Sequence, residues 1–170
     1  EALTRMKPSG LPILSHSEDG DLVRAGVMNE GALSRKLGYK GRPAVAEELL
    51  LVRDGMLAAD VEGYVHVCHV STKGSVDYIR RMKAAGIHVT AETCPQYFTL
   101  TEEEIEKQGA MAKVNPPLRT PADVAAMREA VKTGVIDMLA TDHAPHSAEE
   151  KSRGPEKSAM WAWWMPSLPA

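Results

Sequence analysis

With 170 residues, 44% of them hydrophobic and 25% charged, the chain is long enough for one modest domain with a real core. A net charge of −3 argues against nucleic acid or an anionic membrane as partner, and no apolar run reaches the length of a membrane span. The two cysteines, Cys68 and Cys94, lie in or beside apolar segments, which suits a reduced, soluble cytoplasmic protein better than a disulfide framework.

Four short apolar runs punctuate the chain: LPILSH (11–16), GYVHVCHVS (63–71), IHVTAETCP (87–95) and VIDMLATDH (135–143). Each has strand length and a turn or cap residue at its exit. Between the first two, residues 44–63 predict a helix with Val45, Leu49, Val52, Met56 and Ala59 on one face. Gly55 inside it costs about 1 kcal/mol relative to alanine, so packing must hold that helix. After the second run, Val76, Ile79, Met82 and Ala85 recur at helical spacing, and Gly86 stops the pattern. Thr101 and Glu104 read as a capping box for a helix closed by Gly109. Thr120 and Pro121 start another helix, Val124, Met127 and Val131 form its stripe, and Gly134 ends it. The polar segment 146–157 reads as a mobile loop. Strand alternating with helix implies an α/β fold of parallel strands joined by right-handed crossovers.

Strands of a parallel sheet are buried on both faces, so polar side chains in them need a reason. Here they collect at the exits: His16, His69, Glu92 and Asp142. Strand C-termini form the ligand-binding face of parallel α/β folds. By strand parity Val65, Val67 and His69 share one face, with His66 deeper on the other. His66 is expected to be a satisfied structural histidine, and His88, at the start of its strand, another. His16, His69 and Asp142 from three strand ends suit a zinc-type site, with the carboxylate able to shuttle a proton. On spacing alone, three strand ends with unrelated hydrogen bonds are an equal alternative.

Longer motifs break the tie. SHSED (15–19), HVCHVST (66–72), TAETCPQYFTLTEEE (90–104), KVNPPLR (113–119) and ATDHAPHSAEEK (140–151) occur in the order found in dihydroorotases, and together the chain resembles that family of amidohydrolases. The resemblance implies the C-terminal half, strands five to eight, of a metal-dependent (β/α)8 TIM barrel. It implies one or two Zn2+ ions per complete site, with His16 and His69 binding the more buried metal and Asp142 the other. Asp142 is also the implied general base, and Asn115 and His146 the residues that hold the substrate ring and its carboxylate. The implied reaction is reversible hydrolysis of the cyclic amide of dihydroorotate to carbamoyl aspartate. Dihydropyrimidinases, hydantoinases and allantoinases are the related alternative, but typically carry serine at the asparagine and lack the second histidine. A homo-oligomeric parent is left open.

A full barrel of this type needs roughly 250 residues. The His-x-His pair that the family places on its first strand, the arginine that follows it and the bridging ligand of the fourth strand have no counterpart here. The chain also opens without methionine, in what reads as mid-helix. It is therefore expected to be a barrel segment over residues 1–160, inactive in isolation and unable to hold two metals with His16, His69 and Asp142 alone. Residues 161–170 depart from the family pattern. Back-translated and read two bases on, WAWWMP (161–166) encodes Gly, an aliphatic residue, Val, Asp and Ala, close to the family, so a frameshift near Met160 is expected. An aromatic binding patch is the alternative for the tail, and a noncatalytic partner protein the alternative for the chain. Retention of all five candidate site residues favours the enzyme.

Overall fold

Short apolar runs separated by capped amphipathic stretches build strand and helix in alternation. The computed structural model describes residues 1–144 and 146–157. In chain order, α1 (Ala2–Met6) leads into β1 (Ile13–Ser15), followed by α2 (Gly20–Val23), β2 (Met28–Asn29), α3 (Ala32–Leu37) and β3 (Gly41–Arg42). The long α4 (Val45–Val61) precedes β4 (Val65–Val67), and α5 (Lys73–Ala84) precedes β5 (Val89–Thr93). Then come α6 (Pro95–Thr99), α7 (Glu104–Gln108), α8 (Pro121–Lys132), β6 (Met138–Leu139) and α9 (Ala148–Lys151).

The sheet has the order β1-β4-β5-β6, every pair parallel, with β2 and β3 forming a small parallel pair of their own. Sequential parallel strands with helices between them are consecutive βα units, as expected. All four predicted strands are present, each shorter than its apolar run. Register aligns Leu14, His66 and Thr90 in one row, and Ile13, Val65 and Val89 in the next. The second row faces the helices: Val65, Val67, Val89 and Ala91 pack with Leu51, Val76, Ile79 and Met127 in the main core. The first row faces the other way, where Leu14 is 66% exposed. Among the described residues no helix is long and apolar enough to cross a membrane.

The predicted stop of α5 at Gly86 and the predicted cap of α8 hold, and Thr72 adds an N-cap to α5 that was not predicted. The Thr72 hydroxyl accepts from Ser75 N, and Thr120 and Asp123 form a reciprocal capping box with Pro121 in the first turn. Gly86 and Gly134 follow these helices with φ of +75° and +72°. Three expectations fail. Helix α4 buries Ala46, Leu51, Gly55 and Ala58, while Val45, Leu49 and Met56 are exposed. Small residues win the interface because α5 comes so close: a Cβ at Gly55 would lie 2.5 Å from Met82 Sδ. Thr101 does not cap α7, whose N-cap is Glu103 without a side-chain bond, because the Glu104 carboxylate is taken by Lys107 and Gln108. The segment after His146 is no loose loop. Ser147 and Glu150 form a capping box, and the buried Lys151 ammonium donates to Lys113 O at 2.8 Å.

Candidate active site

The rim at the strand C-termini gathers the candidate residues. His16 directly follows β1, His69 lies two residues past β4 and Asp142 three past β6. Parity does not deliver His69 to the site, because Val65 and Val67 point into the helical core. A backbone turn does. His69 has φ +39°, which swings its ring from the core-facing row toward His16. Asp142 sits at φ +47°. Left-handed backbone at residues other than glycine costs roughly 1–3 kcal/mol and concentrates at functional sites.

The two imidazoles meet edge to face, with centroids 4.6 Å apart and His16 Nδ1 2.8 Å from His69 Nε2. The His69 ring is buried and its Nδ1 has no hydrogen-bond partner among the described residues. His16 is half-buried; burial first, then neighbouring His69, push its pKa below the usual histidine value, while Glu18 and Asp142 oppose the fall. Burial therefore favours neutral imidazole, the form that ligates a metal. Two converging imidazoles, one with an orphaned nitrogen, fit a divalent metal's donor set. Asp142 is exposed and acts on His16 through its charge.

The substrate-side candidates are held by other partners. Asn115 is 4% exposed, and its Oδ1 accepts from Arg42 Nη1. His146 Nδ1 lies 3.3 Å from Glu150 Oε2, within its own segment. The structure thus brings His16 and His69 into contact, and sets Asn115 and His146 on separate supports.

Beneath the rim runs a buried polar network that sequence reasoning missed. Glu47 accepts from Ser71 N, Thr72 N and the Ser75 hydroxyl at 3.0, 3.2 and 2.7 Å, and also from the Ser71 hydroxyl. Arg119 Nη2 lies 3.6 Å from Glu47, and its other nitrogens donate to Ser71 Oγ, Asn29 Oδ1 and Arg42 O. Asn29 in turn donates to Glu102 Oε2 at 2.6 Å. The only sequence signal was the presence of charged residues inside otherwise apolar motifs.

A second cluster of donor atoms, His66, Cys68 and Glu92, lies on the uncovered face. His66 has both ring nitrogens engaged, with Thr90 Oγ1 at 2.8 Å and Glu92 Oε2 at 3.2 Å, as a structural histidine should. Burial, then the Glu92 and Asp142 charges, push the Cys68 thiol up to about 11, far from the thiolate that a metal needs. His88 stacks on Tyr64 at 3.8 Å, structural as expected.

Comparison with known proteins agrees with this geometry. A family profile described as Dihydro-orotase-like matches residues 1–75. The chain is 53% identical over 143 residues to the dihydroorotase of Endomicrobium trichonymphae and 51% over 150 residues to that of Geobacter metallireducens. Those alignments cover 84% and 88% of this chain but 34% and 35% of the relatives, so it spans about a third of their length. It superposes on D-hydantoinase from a Bacillus sp. with a TM-score of 0.81 at 25% identity, over 95% of this chain and 38% of that one. Dihydropyrimidinase from Brevibacillus agri gives 0.79 at 26% identity, over 95% and 37%. A parallel α/β sheet with paired histidines at its strand ends thus has the fold of the hydantoinases. In sequence the chain is similar to the dihydroorotases.

Proposed function

We propose that the chain is the strand-five-to-eight half of a zinc-dependent dihydroorotase barrel, acting in the cytoplasm on dihydroorotate. Supporting the reading is one conjunction: His16 and His69 pair at adjacent strand ends in a chain about half identical to dihydroorotases. Residues 1–160 are the barrel segment. Residues 161–170, proposed to be frameshifted, lie outside the described residues.

In this reading His16 and His69 hold the more buried zinc, and Asp142 contributes to a second position. When bound, the metal polarises the ring carbonyl and lowers the pKa of water. Asp142 then does the proton work. One carboxylate oxygen accepts a proton from the attacking water and returns it to the leaving ring nitrogen. Its exposed position leaves room for both transfers. Asn115 presents an amide donor to the ring, and His146 binds the substrate carboxylate.

The hydantoinase-like alternative draws on the solved structures, but at half the identity of the dihydroorotases. The complete protein, assayed on dihydroorotate, dihydrouracil and allantoin, separates them. Preference for dihydroorotate is expected, and preference for either of the others overturns the assignment.

A further inference from the structure

We infer that Arg42 is a positioning residue that sets the Asn115 amide for a ligand oxygen and ties it to the histidine side of the site; this rests on the dihydroorotase reading above. Arg42 is 2% exposed. Its Nε donates to Gly26 O at 2.7 Å, and its Nη1 donates to Glu18 Oε2 at 2.9 Å and to Asn115 Oδ1. Gly26 makes the cradle: a Cβ there would lie 2.6 Å from Arg42 Cγ. The Arg42 carbonyl accepts from Arg119 Nη1 at 3.1 Å, so the buried network fixes the backbone from which the side chain reaches.

The chemistry of the pair dictates an orientation. A guanidinium has donors and no acceptor, so only the amide oxygen of Asn115 can face it. The amide nitrogen must then point the other way. Asn115 Nδ2 is buried with no hydrogen-bond partner among the described residues. A buried unpaired donor is rare in folded proteins and calls for an acceptor. In this proposal that acceptor is a carbonyl or carboxylate oxygen of the substrate. The same Glu18 oxygen that holds Arg42 lies 3.8 Å from His16 Nε2. One carboxylate therefore links the metal-side histidine, the arginine and the substrate-side amide. Neither Glu18 nor Arg42 touches the reacting atoms in this arrangement; both act through what they hold.

A double-mutant cycle in the complete protein tests this. Arg42→Met is expected to raise KM for dihydroorotate about tenfold or more while kcat changes by less than about threefold, the pattern of lost binding rather than lost chemistry. In an Asn115→Ala background the same substitution should add less than about twofold, since residues acting through one another are not additive. Additive effects, or an unchanged KM in a folded Arg42→Met protein, overturn the proposal. If Arg42→Met does not fold, Arg42→Lys serves, with a smaller KM effect that again disappears beside Asn115→Ala; additivity there is equally fatal. Should the wild-type protein prefer dihydrouracil or allantoin, the proposed function fails, and the cycle is run on the preferred substrate. A crystal structure of the arginine variant gives a readout independent of turnover. The Asn115 amide is expected to rotate or lose order, and an amide unmoved from its native orientation refutes the positioning role.

Discussion

The helix-covered face of the sheet and its C-terminal rim are built by opposite means. On the covered face, Val65, Val67, Val76, Ile79, Ala91 and Met127 are all within 1% of full burial, and local signals delimit the helices that bring them together. Thr72 and Thr120 start α5 and α8, and left-handed glycines follow both. At the rim the ties are polar and distant in sequence. Arg119 reaches Asn29 across 90 positions, and Arg42 reaches Asn115 across 73. An apolar contact tolerates the loss of a neighbour, whereas a buried ion deprived of its partner keeps its full desolvation cost. The covered face should therefore yield gradually to mutation and the rim all at once.

Chemistry at the rim is the sharpest place to test that contrast. In the complete protein, Asp142→Asn and His69→Ala should each lower kcat/KM by about 10³-fold or more, in the range expected for a lost general base or metal ligand. Thermal stability should hold in Asp142→Asn, because Asp142 is exposed and asparagine tolerates left-handed backbone. Chelation should abolish activity and added Zn2+ restore it. A variant at Asp142 that keeps wild-type turnover removes that residue from the mechanism.

For folding, the rim should again show the larger effect. Arg119→Met strands Glu47, Asn29 and the Arg42 carbonyl, and is expected to cost about 3–5 kcal/mol in urea unfolding of the complete protein. Ile79→Ala, in the middle of the covered core, should cost about 3 kcal/mol through lost transfer energy and the cavity left behind. If Ile79→Ala proves the costlier, apolar packing rather than the ion network is what holds the two regions together. Thr120→Ala removes a single cap bond, and its expected cost is about 1 kcal/mol.

The same contrast separates what was legible in the sequence from what was not. The four strands, the helices between them, the cap of α8 and the glycine stops of α5 and α8 follow from local residues, and all were predicted. The buried stripe of α4 was misread because hydrophobicity pointed to Val45, Leu49 and Met56, while close approach of α5 selected Gly55 and Ala58. The pairing histidines, His16 and His69, were readable as polar residues at strand exits. The route that joins them was not, since it depends on a left-handed residue at His69 rather than on strand parity. Arg42, Glu47 and Arg119 were invisible because a buried ion is defined by partners dozens of positions away. The one local signal that was undervalued is Ser147 with Glu150, a capping box that turns an expected loop into a helix and seats Lys151.

Lys151 offers the gentlest test, and one whose sign is determined. Burial first, then the neighbouring Lys113 charge, bring its ammonium pKa down to about 8. Between about pH 8 and the ordinary lysine value near 10.4, the unfolded chain holds a proton there that the folded chain has released. Stability at this position must therefore rise with pH across that window, where most paired groups lose it. Screening by solvent limits the gain to less than about 1 kcal/mol between pH 7 and 9. Unfolding of the complete protein followed at a series of pH values, beside Lys151→Met, isolates the contribution as the difference between the two slopes. A wild-type slope equal to that of the variant would mean that the ammonium keeps its water, and that the packing of α9 on Lys113 is looser than the 2.8 Å bond to its carbonyl implies. A steeper wild-type slope would place this late segment with the rim, held by a buried charge and sensitive to it, although its helix is encoded as locally as those that cover the sheet.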